Sequence, residues 1–151
     1  MDGILIDSGA FIALTERTDA YHDLATDTYK GLSRERIPLY TTNLIVAETC
    51  TFLLYHAVAG HRRASAFGQF IGDAASPYLI GSGNALAADR QLRVVYSTPE
   101  IERVAWDVFA RYDSAGFSFT DCVSFAVMQS LGIKKAFTFD KHYDMLGFER
   151  L

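Results

Sequence analysis

Short apolar runs alternate along the chain with longer segments of helical spacing. Gly3 to Ile6 is continuous enough in apolar character to predict a short buried strand, and Ser8 to Leu14 a short helix. Tyr21, Leu24, Ala25, Tyr29 and Leu32 recur at helical spacing. Pro38 to Thr41 predicts a strand. Asn43 is placed to cap the next segment, LIVAETCTFLLYHAV, which is apolar almost all round and is expected to be a buried helix broken by Gly60. Arg62 to Ile71 predicts one more helix.

Residues 72–90 carry few charges and several turn formers, and predict a loop with a short helix, or a lid. Their GSGNA has no lysine after it, so it reads as a turn rather than a phosphate loop. Leu92 to Tyr96 predicts a strand. Ser97 and Glu100 form a capping-box pattern around Thr98 and Pro99, and Ile101, Val104, Ala105, Val108, Phe109 and Tyr112 then share a helical face. Ser118 and Asp121 repeat that pattern ahead of a helix stopped by Gly132. Lys135 to Phe139 predicts the last clear strand, with Phe148 to Leu151 as an added edge strand. Strands alternating with helices imply right-handed crossovers and a mainly parallel sheet.

Length and composition narrow the class. With 151 residues, half of them hydrophobic, the chain is expected to form a single domain over 1–151 with an ordinary core. A net charge of −4 argues against binding nucleic acid through a broad basic surface. Cys50 and Cys122 form no CxxC and no Cys/His cluster, so neither a structural zinc site nor a disulfide scaffold is expected. The start has no basic signal-peptide region, and no apolar run approaches membrane-spanning length. A soluble protein of a reducing cytoplasm, away from the membrane, is the expectation.

Four carboxylates then change the picture. In parallel sheets, ligands bind outside the carboxyl ends of the strands. Asp7 and Asp140 each directly follow a strand, and Asp121 opens a helix. Glu48 interrupts an apolar helix beyond its first turn, too deep for capping. Each has an ordinary structural explanation: a turn for Asp7 and Asp140, a cap for Asp121, a solvated stripe or an arginine partner for Glu48. Together on one rim they would repel and take up protons, a penalty that a hard divalent cation removes. No histidine is close in sequence to the first three, so zinc or iron fits less well.

The stretches LIDSGAFIAL, NLIVAETCTFLL, FSFTDCVSFAVMQSLGI and KAFTFDKHYDMLGF carry a resemblance. In order and spacing, across nearly the whole chain, they resemble PIN-domain ribonucleases, especially the VapC-like toxins of prokaryotic toxin–antitoxin pairs. The resemblance implies a three-layer α/β/α fold around a mostly parallel sheet. It also implies that Asp7, Glu48, Asp121 and Asp140 hold Mg²⁺ or Mn²⁺ and direct hydrolysis of RNA phosphodiester bonds, leaving a 5′-phosphate and a 3′-hydroxyl. A cognate antitoxin and a homodimer are the partners it implies.

Neighbouring residues are weighed beside the quartet. Ser8 and Thr138 adjoin site acids and are placed to hydrogen-bond them; Ser124 lies one helical turn after Asp121. Asp113 is expected in an exposed turn and His142 in an exposed loop. His61, Arg62 and Arg63 form the best basic cluster for phosphate, with a solvated face as the plainer reading. Cys50 and Cys122 read as small buried hydrophobes. Two rival functions remain at this stage. One is an aspartyl-phosphate phosphotransferase or phosphatase with Asp7 as nucleophile, which would want an acid where Gly9 stands. The other is a receiver-like Mg²⁺-binding signalling module, which would want a lysine where Asp140 stands.

Overall fold

A computed structural model describes residues 3–81 and 90–151. Six strands, β1 (Ile4–Ile6), β2 (Leu39–Thr42), β3 (Ala75–Tyr78), β4 (Leu92–Val95), β5 (Lys135–Phe137) and β6 (Glu149–Arg150), form one sheet in the order β3-β4-β2-β1-β5-β6. Every pairing among them is parallel. Helices α1 (Ser8–Thr15), α2 (His22–Arg34), α3 (Asn43–His56), α4 (Gly60–Ala74), α5 (Pro99–Arg111), α6 (Phe119–Leu131) and α7 (His142–Met145) make the crossovers. A three-layer α/β/α sandwich results. Inside it, α5 packs on α6, α3 on α4, and α1 on both α2 and α3.

β1 is the hinge of the topology. From β1 the chain steps to β2 on one side and returns, after β4, to β5 on the other. The crevice at the carboxyl ends of β1 and β5 is therefore the switch point where parallel sheets bind ligands. Leu5 and Ile6 of β1 and Ala136 and Phe137 of β5 are buried, which pins the strands and aims the residues after them.

Several local expectations shift. The all-round buried helix is α6, where every residue from Asp121 to Met128 is buried. α3 buries only Ile45, Thr49 and Leu53, and leaves Phe52, Leu54 and Tyr55 exposed. Its cap is Thr42, whose side chain accepts from Ile45 N–H; Asn43 instead accepts from Ser97 N–H through its Oδ1. α5 is likewise capped by Thr98, with Pro99 as first helical residue, while the Ser97 hydroxyl donates to Glu102. The predicted box of Ser97 with Glu100 thus gives way to a cap one residue later. Ser118 and Asp121 form the reciprocal box as predicted, and Gly132 closes α6 at φ 66°.

Gly60 does not break α3, which has already ended at His56; it opens α4. A Cβ there would lie 2.1 Å from the Leu54 carbonyl oxygen, so only glycine lets the two helices meet this closely. Within the obscure stretch 72–90, Ala75–Tyr78 is an edge strand rather than loop or short helix, paired along β4. Most of the GSGNA turn, from Ser82 onward, lies outside the described residues. Among the described residues no helix is long and apolar enough to cross a membrane.

Candidate active site

Asp7 is the first residue past β1 and Asp140 lies just past β5. The Asp7 N–H still bonds the Phe137 carbonyl at 3.1 Å, so the strand pairing itself fixes where its side chain leaves the sheet. Thr138 then ties the two strand ends together. Its Oγ1 donates to Asp7 Oδ2 at 2.9 Å and accepts from Asp140 N–H at 3.0 Å. The Ser8 contribution comes from the main chain, whose N–H supports the Asp7 carboxylate. Asp7 is only 4% exposed. Burial pushes its carboxyl up from 3.8 to about 6; the Thr138 and Ser8 bonds pull it down, and the charges of Asp121 and Glu48 push it up.

Asp121 projects from the first turn of α6. Its Oδ2 accepts from Ser118 N–H at 3.0 Å, and Ser118 Oγ accepts from Asp121 N–H at 3.0 Å. The cap that starts the helix therefore also orients the acid. Burial raises its pKa, and the Asp140 charge adds to the rise.

His142 is not in an exposed loop. It is half-buried at the start of α7, where its own N–H donates to Asp140 Oδ1 at 2.9 Å. That Asx-type turn folds the chain back so that Nδ1 lies 3.2 Å from Asp121 Oδ2 and 3.3 Å from Asp140 Oδ2. The ligating atoms of Asp121, Asp140 and His142 all fall within 4.8 Å of one another. The sequence signal is a D-x-H shortly after a strand end.

Glu48 is not part of that tight group. It stands half-buried on α3 and is felt at Asp7 through its charge. With Thr120 and Phe52 it lines an open depression of about 470 Å³ beside the start of α6. Asp113 is exposed in the turn after α5. Ser124 Oγ donates to the Thr120 carbonyl at 2.9 Å rather than to an acid. Arg63 pairs with Glu16 at 3.5 Å, and His61 and Arg62 are exposed. Cys122 is buried and Cys50 half-buried, and burial raises both thiols.

Tyr143 was not singled out by sequence reasoning. It is fully buried, and burial, with the charges of Asp7 and Asp121, holds its hydroxyl pKa well above the ordinary value. That hydroxyl makes no hydrogen bond of good geometry, although Ser124 and Asp7 are near it. A buried aromatic in a four-residue helix carries no periodic pattern from which to read it.

The donor set fits a hard divalent cation. Oxygen ligands dominate, the charges of Asp121 and Glu48 push the Asp7 carboxyl up, and that of Asp140 pushes up Asp121. The one nitrogen, of His142, lies against two of these oxygens as their hydrogen-bond partner.

Comparison with known proteins agrees with this geometry. The family described as PIN domain matches residues 4–149. A curated relative from Mycobacterium tuberculosis, the 23S rRNA-specific endonuclease VapC20, is 32% identical over 96% of this chain and 95% of its own. A VapC ribonuclease from Archaeoglobus fulgidus is 30% identical over 86% of this chain and 72% of its own. Among solved structures, Mycobacterium tuberculosis VapC20, titled a sarcin–ricin loop cleaving toxin, superposes with a TM-score of 0.73 at 31% identity, covering 96% of this chain and 95% of that one. FitAcB from Neisseria gonorrhoeae, at 12% identity and a TM-score of 0.63 over 98% of this chain and 96% of that one, shares the fold.

Proposed function

Since the chain belongs to the PIN-domain family, we propose that it is a metal-dependent endoribonuclease, the toxin of a toxin–antitoxin pair. The observation that carries the reading is the meeting of Asp7, Asp121 and Asp140 at the sheet's switch point, with Thr138 joining the strand ends. Asp7, Glu48, Asp121 and Asp140 would hold Mg²⁺ or Mn²⁺. When bound, the ion neutralises the acids and polarises the phosphoryl oxygen under attack.

The chain's own residues hold the site ready. Thr138 and the Ser8 N–H keep the Asp7 carboxylate aimed at the rim, and the Ser118 cap keeps Asp121 fixed. His142 spans Asp121 and Asp140 and limits their mutual repulsion. Water attacks phosphorus in line and O3′ leaves, giving a 5′-phosphate and a 3′-hydroxyl. The substrate class is ribosomal RNA, by extension from the relative named for 23S rRNA.

Partner contact is supported by exposed apolar residues. Phe52, Leu54, Tyr55 and Val58, on α3 and just after it, expose large apolar side chains that a solitary protein would ordinarily cover. We assign such surface to self-association and to a cognate antitoxin.

The test is cleavage of 23S rRNA and a mixed RNA panel. Activity is expected with Mg²⁺ or Mn²⁺ and is expected to stop with chelator. Full activity after rigorous chelation would sink the reading.

A further inference from the structure

We propose that Tyr21 is a base-stacking residue that seats an unpaired nucleobase of the RNA beside the acid centre. The inference rests on the endoribonuclease reading and adds a substrate-positioning group to it.

The fold puts Tyr21 on the right rim. α2 starts one residue later and carries the chain back to the beginning of β2, at the amino ends of the strands. Its 13 residues span about 20 Å at 1.5 Å per residue. The α2 N-terminus therefore lies with the carboxyl ends of the strands. A ring contact shows the same placement. Tyr21 stacks on Phe139, with centroids 4.3 Å apart and planes 10° from parallel. Phe139 sits in the chain between Thr138, which holds Asp7, and Asp140. It also meets Phe137 of β5 edge-on at 6.2 Å.

The platform is held in place yet open. Tyr21 N–H donates to Asp19 Oδ1 at 2.8 Å, and its carbonyl accepts from Ala25 N–H at 2.8 Å. The next residue, His22, is anchored through Nδ1 to the Ala13 carbonyl at 2.7 Å. Despite these ties Tyr21 is 51% exposed. A fixed, half-open aromatic ring beside a phosphodiester-cleaving centre matches the way proteins hold single-stranded RNA, by stacking splayed bases on aromatic faces.

Charge makes stacking the fitting device. A chain of net charge −4 with acids on this rim gains little from phosphate attraction. Stacking needs no positive charge and tolerates any base, because every base has a π face. One stacked base is worth about 5- to 150-fold in affinity.

The experiment is a fluorescence-anisotropy titration in Ca²⁺. The probes are a labelled oligoadenylate decamer and an abasic ribose-phosphate chain of equal length. Wild type is expected to prefer the oligoadenylate. Tyr21→Ala is expected to lose about 5- to 150-fold for oligoadenylate and nothing for the abasic chain. Tyr21→Phe and Tyr21→Trp should keep the preference, and in Mn²⁺ the Tyr21→Ala defect should fall on KM rather than kcat. Should the alanine variant melt early, Tyr21→Leu keeps an apolar cover on Phe139 without a π face and should show the same loss. Wild-type binding by Tyr21→Ala or Tyr21→Leu, or equal loss in Tyr21→Phe, would overturn the proposal. So would a wild type that binds both probes alike while still cleaving RNA. A wild type that cleaves no RNA in Mn²⁺ would instead overturn the endoribonuclease reading, and this proposal with it.

Discussion

Nδ1 of His142 lies 3.2 Å from Oδ2 of Asp121, although 21 residues separate them in the chain. The same nitrogen is 3.3 Å from Asp140, so one imidazole stands between two acids that would otherwise face each other. His142→Ala should therefore destabilise the metal-free protein by about 1 kcal/mol. For a chain of this size that is a loss of roughly 2–4 °C in Tm. Thermal unfolding in chelator and in Mn²⁺ checks it. The gap should narrow in Mn²⁺, because the ion then separates the same charges.

Asp7 sets a pH dependence with a definite sign. Its carboxyl titrates at about 6 in the folded chain, against an ordinary 3.8. A raised carboxyl pKa means the folded state holds the proton more tightly. The stabilising contribution is complete below 3.8 and is lost as pH rises through about 6. At pH 8 the charged, buried Asp7 costs on the order of 3 kcal/mol in the absence of metal. Metal-free Asp7→Asn should thus be more stable than wild type at pH 8, by up to that amount, and should gain little at pH 4. It should also be inactive. Urea unfolding at both pH values is the measurement, and equal curves at pH 8 would count against the burial argument.

Thr138→Val tests the link between the strand ends. It removes the 2.9 Å donor to Asp7 and the acceptor for Asp140 N–H while keeping the shape. The expected cost is about 1–3 kcal/mol. Losing a donor to its charged form drives the Asp7 pKa above about 6. The acid limb of the pH–activity profile should move to higher pH, and Thr138→Ser should restore it.

Asp121→Asn separates charge from capping. An asparagine oxygen still accepts from Ser118 N–H, so the helix start survives. Metal-free Asp121→Asn should be at least as stable as wild type, with a gain on the order of 1 kcal/mol. Mn²⁺ should raise the Tm of wild type more than that of the variant. A variant that melts well below wild type, with neither responding to Mn²⁺, would make Asp121 structural.

The legible parts of this chain were those with strong local signals. Asp7 and Asp140 stood out because each follows an apolar strand, and Asp121 because its capping box is explicit. Thr138 was readable as a neighbour. The place of His142 is not legible in the pattern, because it depends on the turn that Asp140 makes, a side-chain to main-chain bond invisible to periodicity. β3 was missed because Ala75-Ser76-Pro77-Tyr78 has little intrinsic strand preference and takes its shape from β4, at an edge where proline is tolerated. The caps of α3 and α5 each fell one residue from expectation, between adjacent polar residues that both carry a suitable oxygen.

The bond from Thr138 to Asp7 spans 131 residues, and that separation has a consequence during synthesis. Translation makes β1 first, yet β1 lacks one of its two neighbouring strands, and Asp7 its clamp, until β5 and Thr138 have been made. Asp140 comes later still. A nascent chain that stops short of Thr138 therefore carries Asp7 with one neighbouring strand and its hydroxyl clamp still to come, so this rim of the sheet is among the last parts of the fold to be completed.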